Sequence, residues 1–388
     1  MRIGYIGRWI GFVGLMVFIL LPPRWYMPEE TGPSESDAPA PGMMEIRMTA
    51  WAMTPSRSMK VSPGNRFPRR ALADLAREWE AMHPGVKLRF LRSPGGGEDY
   101  FNWLRAQFSG GIAPDIVYLT PPGNEWMRNG WVLPLDRYLN EPNPYIPGNR
   151  RWRDSFLPAA MDPRMHAEDG RMYFIPVNLV TVFTVYNKDI FKKVGIRHPP
   201  ETWKEFLEVQ GKIQKAGFVP FWSDWMWSAP RFWFGAWLYP EPESTRRLDV
   251  LKKDGVVDTQ ELCRALKKGI LGVYQARFRE YLRLMKEWSR YWPKGFTLIP
   301  YKSGATSLFP RGRLAMRWIG IWEWTPLIRD RLRTFEIGVM KMPVMTKESS
   351  PYATHARPRF GAVAGDNYFV TDTARKRGTV DLCIDFLR

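Results

Sequence analysis

The chain is poor in the residues that most often hold metals or close disulfides: its 388 residues include 2 cysteines and 4 histidines. Cys263 and Cys383 lie far apart, and His83, His166, His198 and His355 are dispersed, so no spacing points to a metal centre. For the thiols, a lone disulfide and two buried free cysteines both stay open. Neither G-x-G-x-x-G nor G-x-x-x-x-G-K-[ST] occurs, and the isolated Gly95-Gly96-Gly97 is no phosphate loop. No cofactor is expected. No apolar run reaches the ~20 residues of a transmembrane helix. Acidic residues are also short, 39 against 57 basic ones, for a net charge of +18. That surplus invites a nucleic-acid or polyanion reading. The cations are scattered, however, in short clusters such as Arg69-Arg70 and Arg329-Arg331-Arg333, with no helix-turn-helix, zinc-finger spacing or basic tail. A solvated basic surface is therefore expected and no nucleic-acid partner, while attraction to anionic lipid or glycan stays open.

What is present is enough chain to bury a sizeable core, divided between two domains, and an excess of tryptophan, 19 residues. Indoles either fill a large core or offer flat apolar platforms for sugar rings. Residues 1–28 hold Arg2 and Arg8, the uncharged run Trp9 to Leu21 and then Pro22-Pro23. This is a secretory signal or, lacking a close cleavage site, an uncleaved signal anchor through which the protein would associate with the membrane. Residues 29–43, rich in Pro, Ser, Glu and Ala, read as a disordered linker.

Downstream the periodicity alternates. Glu45 to Trp51 reads as a strand with Ile46, Met48 and Ala50 inward, and Phe67 to Met82 as a helix with Leu72, Leu75, Trp79 and Met82 on its core face. Val86 to Leu91 is a second strand, Glu98 to Ser109 a helix, and Pro114 to Thr120 a third strand. This βαβαβ succession predicts a doubly wound parallel sheet. Ligands of such sheets sit beyond the carboxyl ends of strands. That rule singles out Trp51 after the first strand, with Asn124 and Glu125 after the third, although Trp51 equally suits a core and Glu125 a helix first turn. Tyr173 to Pro176 and the apolar run Val180 to Tyr186 read as strands. Asn187 then caps a short helix stopped at Gly195, and Thr202 to Glu205 is a capping box opening a helix that Gly217 ends. Val219 to Phe221 is a short strand leading into Trp222, Trp225 and Trp227 around Asp224, either sugar platforms or a tryptophan-rich helix packing on Trp233 and Trp237. Thr259 to Tyr291 is a long helical region, one helix or two, with Leu262, Leu266, Leu282, Leu284 and Trp288 as core.

The stretch Gly170 to Gly217 carries G-x-x-Y-x-I-P, then Y-N-K-D-x-F-x-x-x-G-I, then P-P-x-T-W-x-E-F. L-A-x-x-W-E-x-x-H-P-G-V-K-L from Leu75, A-P-D-I-V-Y-L from Ala113 and N-G-W-V-L-P-L-D-R-Y-L from Asn129 precede it. Phe309, Gly312, Ala315, Met316, Gly320 and Trp322 follow in the order F-x-x-G-x-x-A-M-x-x-x-G-x-W. Together these resemble the sugar-binding extracellular solute-binding proteins of bacterial ABC importers, relatives of maltodextrin-binding protein. The resemblance runs from Glu45 to Arg388. It departs at Ile319 and Ile321, which flank Gly320 where the family often has small residues, and at Asp366-Asn367, which replace a run usually richer in Gly and Trp.

The resemblance implies an α/β, two-lobe periplasmic-binding-protein-like (type II) fold, each lobe a mostly parallel sheet flanked by helices. Lobe one would be 44–181 plus 361–388 and lobe two 182–360, with the family's further C-terminal helices absent. It also implies a carbohydrate bound between lobes, hinge closure, an ABC permease as partner, an extracytoplasmic location and no catalysis. Candidate ligand-binding residues are Trp51, Asn124, Glu125, Asn178, Trp225, Trp227, Trp322, Glu323, Gly365 and Asp366. The rival is a glycosidase-like enzyme using Asp224, Glu323 and Asp366 as acid and base, a pairing that no spacing supports.

Overall fold

The computed structural model describes residues 42–61, 68–93, 97–119, 124–162, 166–223, 228–239, 243–253, 257–298, 307–353 and 362–388. The signal segment, most of the linker and Asp224 to Trp227 lie outside the described residues. The chain divides into two compact units. One takes the residues up to Ser155, Asp169–Ile175 and Asp366–Arg388, and the other takes Phe156–Glu168 and Pro176–Gly365. The chain thus changes unit after Ser155, Glu168, Ile175 and Gly365, where the sequence reading has two exchanges, after 181 and after 360.

Unit 1 is built on a sheet of order β2-β1-β3-β11-β4, with β1 Met44–Met48, β2 Val86–Phe90, β3 Ile116–Leu119, β4 Ile175–Pro176 and β11 Asn367–Val370. β1 runs parallel to β2 and β3, as the βαβαβ succession predicts, and β11 returns antiparallel on β3 with Asn367 opposite Leu119. The helix Glu98–Ser109 packs Tyr100, Leu104 and Phe108 inward at the expected three- to four-residue spacing. The helix Ala71–Met82 buries Ala76 and Trp79 but leaves Leu75 and Met82 each 56% exposed, so its core face is narrower than the apolar stripe suggests.

Unit 2 carries a sheet of order β7-β8-β6-β9, with β6 Val182–Asn187, β7 Val219–Trp222, β8 Leu314–Gly320 and β9 Ile337–Met340. Only the β7–β8 pairing is parallel; β6 is antiparallel to both β8 and β9, so this sheet is mixed rather than mostly parallel. A separate antiparallel ribbon joins β5 Leu179–Val180 to β10 Val363–Ala364. The expected single strand Val180 to Tyr186 is therefore two, interrupted at Thr181.

The core of unit 2 absorbs most of its tryptophans. Trp203, Trp233, Trp237 and Trp288 are all buried, with Trp233 stacked on Trp288 at 5.0 Å and Trp203 edge-on to Trp237 at 5.5 Å. Trp288 keeps its indole N–H satisfied by donating to the buried Gln210 at 3.1 Å. The local caps form as read: Asn187 accepts from the Ile190 amide at 3.0 Å and Thr202 from the Glu205 amide at 3.2 Å. The Glu205 carboxylate reaches back one residue further than a capping box requires, to the Glu201 amide at 2.8 Å. Helix 259–291 is two helices, Thr259–Lys267 and Ala276–Ser289; Leu284 and Trp288 are core, but Leu262, Leu266 and Leu282 face outward. Cys263 is exposed and Cys383 buried, and both are free, so the expectation of two buried thiols fails for Cys263, which sits on the outer face of its helix. Among the described residues no helix is long and apolar enough to cross a membrane.

Candidate ligand-binding site

In unit 2, β7 and β8 run parallel and reach their carboxyl ends side by side, with Trp222 opposite Arg317. Beyond these ends Ser223 turns inward and donates its hydroxyl to the Trp318 carbonyl at 2.8 Å. β8 stops at Gly320 and the chain folds into the tight turn Ile321–Glu323. The amino end of β6 meets the same edge: Val182 pairs with Gly320, and the Ile321 amide donates to Thr181 O at 3.0 Å.

Trp322 lies in this turn and is 49% exposed, the most exposed tryptophan among the described residues. Its six-membered ring rests on Gly320, where a Cβ atom would come within 2.2 Å of the indole. Any side chain at 320 would have to lift the ring. Gly320→Ala should therefore lower stability by about 1–3 kcal/mol, as overpacking does. A thermal melt of the variant checks this, and a melt within a degree of the parent would show that the ring moves freely.

The floor under the turn is ionic. Arg317, 3% exposed within the wholly buried β8, is paired with Glu323. The second carboxylate oxygen of Glu323 accepts from the Gly320 amide at 3.3 Å. Glu323 thus fastens the turn that presents Trp322, and Trp324 packs edge-on against Phe183 at 5.9 Å to close the outer side. A lone arginine in the apolar run Leu314 to Gly320, with a glutamate six residues on, is the sequence signal that could have found this pair.

Unit 1 has a comparable aromatic edge. β1 ends at Met48, and Trp51 opens a short turn with φ of 48°, a region that side-chain-bearing residues seldom enter. Its indole stacks on Tyr118 at 5.4 Å and 11°, and meets Tyr100 edge-on at 4.8 Å. Tyr100 donates to the Tyr118 carbonyl at 2.8 Å and shares a hydrogen bond with Thr49 at 3.0 Å. Burial pushes the Tyr100 and Tyr368 hydroxyls well above the ordinary phenol range, in Tyr368 with help from the nearby Asp366 charge, so both remain neutral hydrogen-bonding groups. Asp366 immediately precedes β11, at the end of the sheet where β3 finishes.

The remaining candidates fall elsewhere. Asn178 and Gly365 meet in the β5–β10 ribbon, where the Gly365 amide donates to Asn178 O at 3.1 Å. A Cβ at 365 would stand 2.2 Å from Val180, so this crossing also needs glycine. Asn124 starts the helix Asn124–Arg128, and Glu125 in its first turn pairs with Arg105 at 3.0 Å, with the Arg105 guanidinium over the Trp126 ring. Trp225, Trp227 and Asp224 lie outside the described residues. Tyr100, Phe101 and Tyr118, which support Trp51, are absent from the sequence-based candidates, because their helix and strand positions read as ordinary core. In chemical terms each edge offers apolar ring faces and hydrogen-bonding groups. Glu323, the carboxylate a hydrolytic reading would recruit, is already held by Arg317. No group of three or more His, Cys, Asp or Glu fit for a metal occurs among the described residues.

Comparison with known proteins gives a consistent result. Similar curated proteins include a putative binding protein of Brucella abortus, 27% identical over 148 residues that cover 37% of this chain and 32% of the relative. Another is the sn-glycerol-3-phosphate-binding periplasmic protein of Yersinia enterocolitica, 29% identical over 129 residues, 31% of this chain and 28% of that one. The chain thus matches about a third of the length of these relatives. Among solved structures, a chitin oligosaccharide binding protein superposes with a TM-score of 0.62 at 17% identity, over 89% of this chain and 77% of its own. An ABC substrate-binding protein of Listeria monocytogenes in complex with cycloalternan gives 0.58 at 18%, over 89% and 75%. The maltose/maltodextrin-binding domain of Bdellovibrio bacteriovorus bound to maltotriose gives 0.53 at 19%, over 89% and 76%. At these identities the likeness establishes the fold, the α/β type II arrangement of solute-binding proteins. The model of the bacterial extracellular solute-binding protein family matches residues 68–379, and the chain belongs to that family.

Proposed function

We propose that the protein is the extracytoplasmic receptor of an ABC importer and that its solute is a carbohydrate. The observation that carries the carbohydrate reading is Trp322, a half-exposed indole laid on a glycine and fastened by a buried ion pair at the carboxyl edge of the unit 2 sheet. Pyranose rings present flat C–H faces, and a rigid indole receives them at low entropic cost. The sugar ligands named for the fold's neighbours agree with that chemistry. The two units serve as the two lobes, the segment 1–28 directs the chain across the membrane, and a membrane permease takes the loaded receptor.

A purified-protein thermal-shift panel of neutral oligosaccharides, uronic oligosaccharides and sn-glycerol 3-phosphate tests this reading. The phosphate arm is included because a relative is named for that ligand; a phosphate would seek a guanidinium, and Arg317 is engaged by Glu323. A sugar at a hundredfold excess over its dissociation constant should add about 2.7 kcal/mol. Trp322→Ala should remove at least about 1–2 kcal/mol of that affinity, roughly tenfold. Stabilisation by glycerol phosphate alone, or by no glycan, would overturn the proposal, as would reducing sugar released from oligosaccharides by the protein.

A further inference from the structure

The helix Thr259–Lys267 is mounted with its apolar residues outward. Only Glu261 and Ala265, one turn apart, are buried. Leu262 is 41% and Leu266 57% exposed, side by side on the next face round. The turn that follows extends this surface. The amides of Ile270 and Leu271 both donate to the Ala265 carbonyl, at 2.8 and 3.2 Å, and hold the turn against the helix end. Beyond it Val273 is 57% and Tyr274 85% exposed. Four large apolar side chains therefore stand out of one small region of unit 2.

The charges around them are of one sign. Arg264, Lys267 and Lys268 on the helix, and Arg246 and Arg247 on the adjoining helix Glu243–Leu248, have no acidic partner among the described residues. The neighbouring acids are occupied. Glu261 is buried and accepts the amides of Val250 and Leu251, each at 2.7 Å. Asp258 caps the helix and pairs with Lys252 at 3.1 Å, and Glu243 pairs with Arg277 at 3.4 Å. The region offers leucine, valine and an exposed tyrosine amid five uncompensated cations.

We propose that this surface docks the protein on an anionic lipid bilayer. Leucine and valine enter the boundary between headgroups and acyl chains, tyrosine sits at the headgroup level, and lysine and arginine meet the lipid phosphates. The attraction to the anionic surface grows with each cation and fades within a Debye length. The combination of exposed apolar side chains and surrounding cations complements a surface of anionic headgroups over acyl chains. The inference is independent of which solute is bound.

Cys263 supplies the test. It is exposed between the leucines and the lysines, whereas Cys383 is buried and its thiol is pushed up by that burial, so a polarity-sensitive thiol dye labels position 263 of the native full chain. Vesicles of phosphatidylglycerol and phosphatidylcholine should shift the dye emission to the blue, and pure phosphatidylcholine vesicles should not. In 0.5 M NaCl the shift should largely vanish. In unlabelled protein, Lys267→Glu with Lys268→Glu should lower sedimentation with anionic vesicles about tenfold or more, and Leu262→Gln with Leu266→Gln should do likewise, with circular dichroism unchanged. The N-terminal apolar segment is the same in every variant, so it cannot produce these differences. An unshifted dye, equal binding to neutral vesicles, or variants that sediment like the parent would each overturn the proposal.

Discussion

Asp115→Ala is expected to cost about 3–5 kcal/mol, the loss seen when one partner is deleted from a buried charge network. Asp115 is 0% exposed at the head of β3. One carboxylate oxygen accepts from the Arg47 amide at 2.8 Å and from the Arg377 guanidinium, and the other accepts from the Thr379 hydroxyl at 3.1 Å. Its backbone joins the same knot: the Asp115 amide donates to Arg47 O at 2.8 Å and the Thr371 amide to Asp115 O at 3.0 Å. A single side chain therefore ties β1 and β3 to the C-terminal helices Asp372–Arg377 and Val380–Leu387, which follow β11. Alanine would leave two guanidinium groups, those of Arg377 and Arg47, without this counter-charge and a buried hydroxyl short of an acceptor. Asp115→Asn keeps the acceptor oxygen but not the charge and should fall between. Urea unfolding followed by a probe in unit 1 measures the difference, and a loss below 1 kcal/mol for the alanine variant would mean that the knot is not holding the sheet.

That knot was not legible in the sequence, and the reason is physical. What local chemistry fixes could be read: the Asn187 and Thr202 caps, the helix Glu98–Ser109, the parallel direction shared by β1, β2 and β3 and the glycine stops at 195 and 217. Those features depend on neighbours within a few residues or on one crossover rule. Asp115 meets Arg377 across 262 positions, and no periodicity carries such a pairing. Apolar spacing likewise shows that a helix has a face, but not that a partner exists to cover it. Leu262 and Leu266 match the pattern as well as Leu284 does, yet only Leu284 finds the core. Tryptophan is the sharpest case. Trp233, Trp237 and Trp322 look alike in the sequence, and burial alone separates two core indoles from one that faces solvent. Trp322 could be singled out by its place in the F-x-x-G-x-x-A-M-x-x-x-G-x-W resemblance, though the sequence does not say that the ring lies on Gly320.

Glu323→Ala should be nearly as costly as the change at Asp115, about 3–5 kcal/mol, and should also disarm the ligand site. The Arg317 side chain is 4% exposed and is paired with the 17% exposed Glu323. Losing the carboxylate takes a counter-charge from a guanidinium in the interior and releases the Gly320 amide, which Glu323 also holds. The turn Ile321–Glu323 then loses its side-chain ties to the floor of the sheet and keeps the backbone bond from the Ile321 amide to Thr181 O, so the indole of Trp322 is held less firmly while remaining in the chain. Removing the charge as well separates these effects. The double variant Arg317→Met with Glu323→Ala should recover much of the stability, because an apolar side chain of similar length fills the space without a buried charge. It should not recover carbohydrate affinity, because the carboxylate that holds the Gly320 amide is still missing. A double-mutant cycle on stability should therefore show coupling of about 1–3 kcal/mol, while affinity falls roughly tenfold in both Glu323 variants. Affinity returning along with stability in the double variant would mean that the pair serves only the fold, and that Trp322 takes its place unaided.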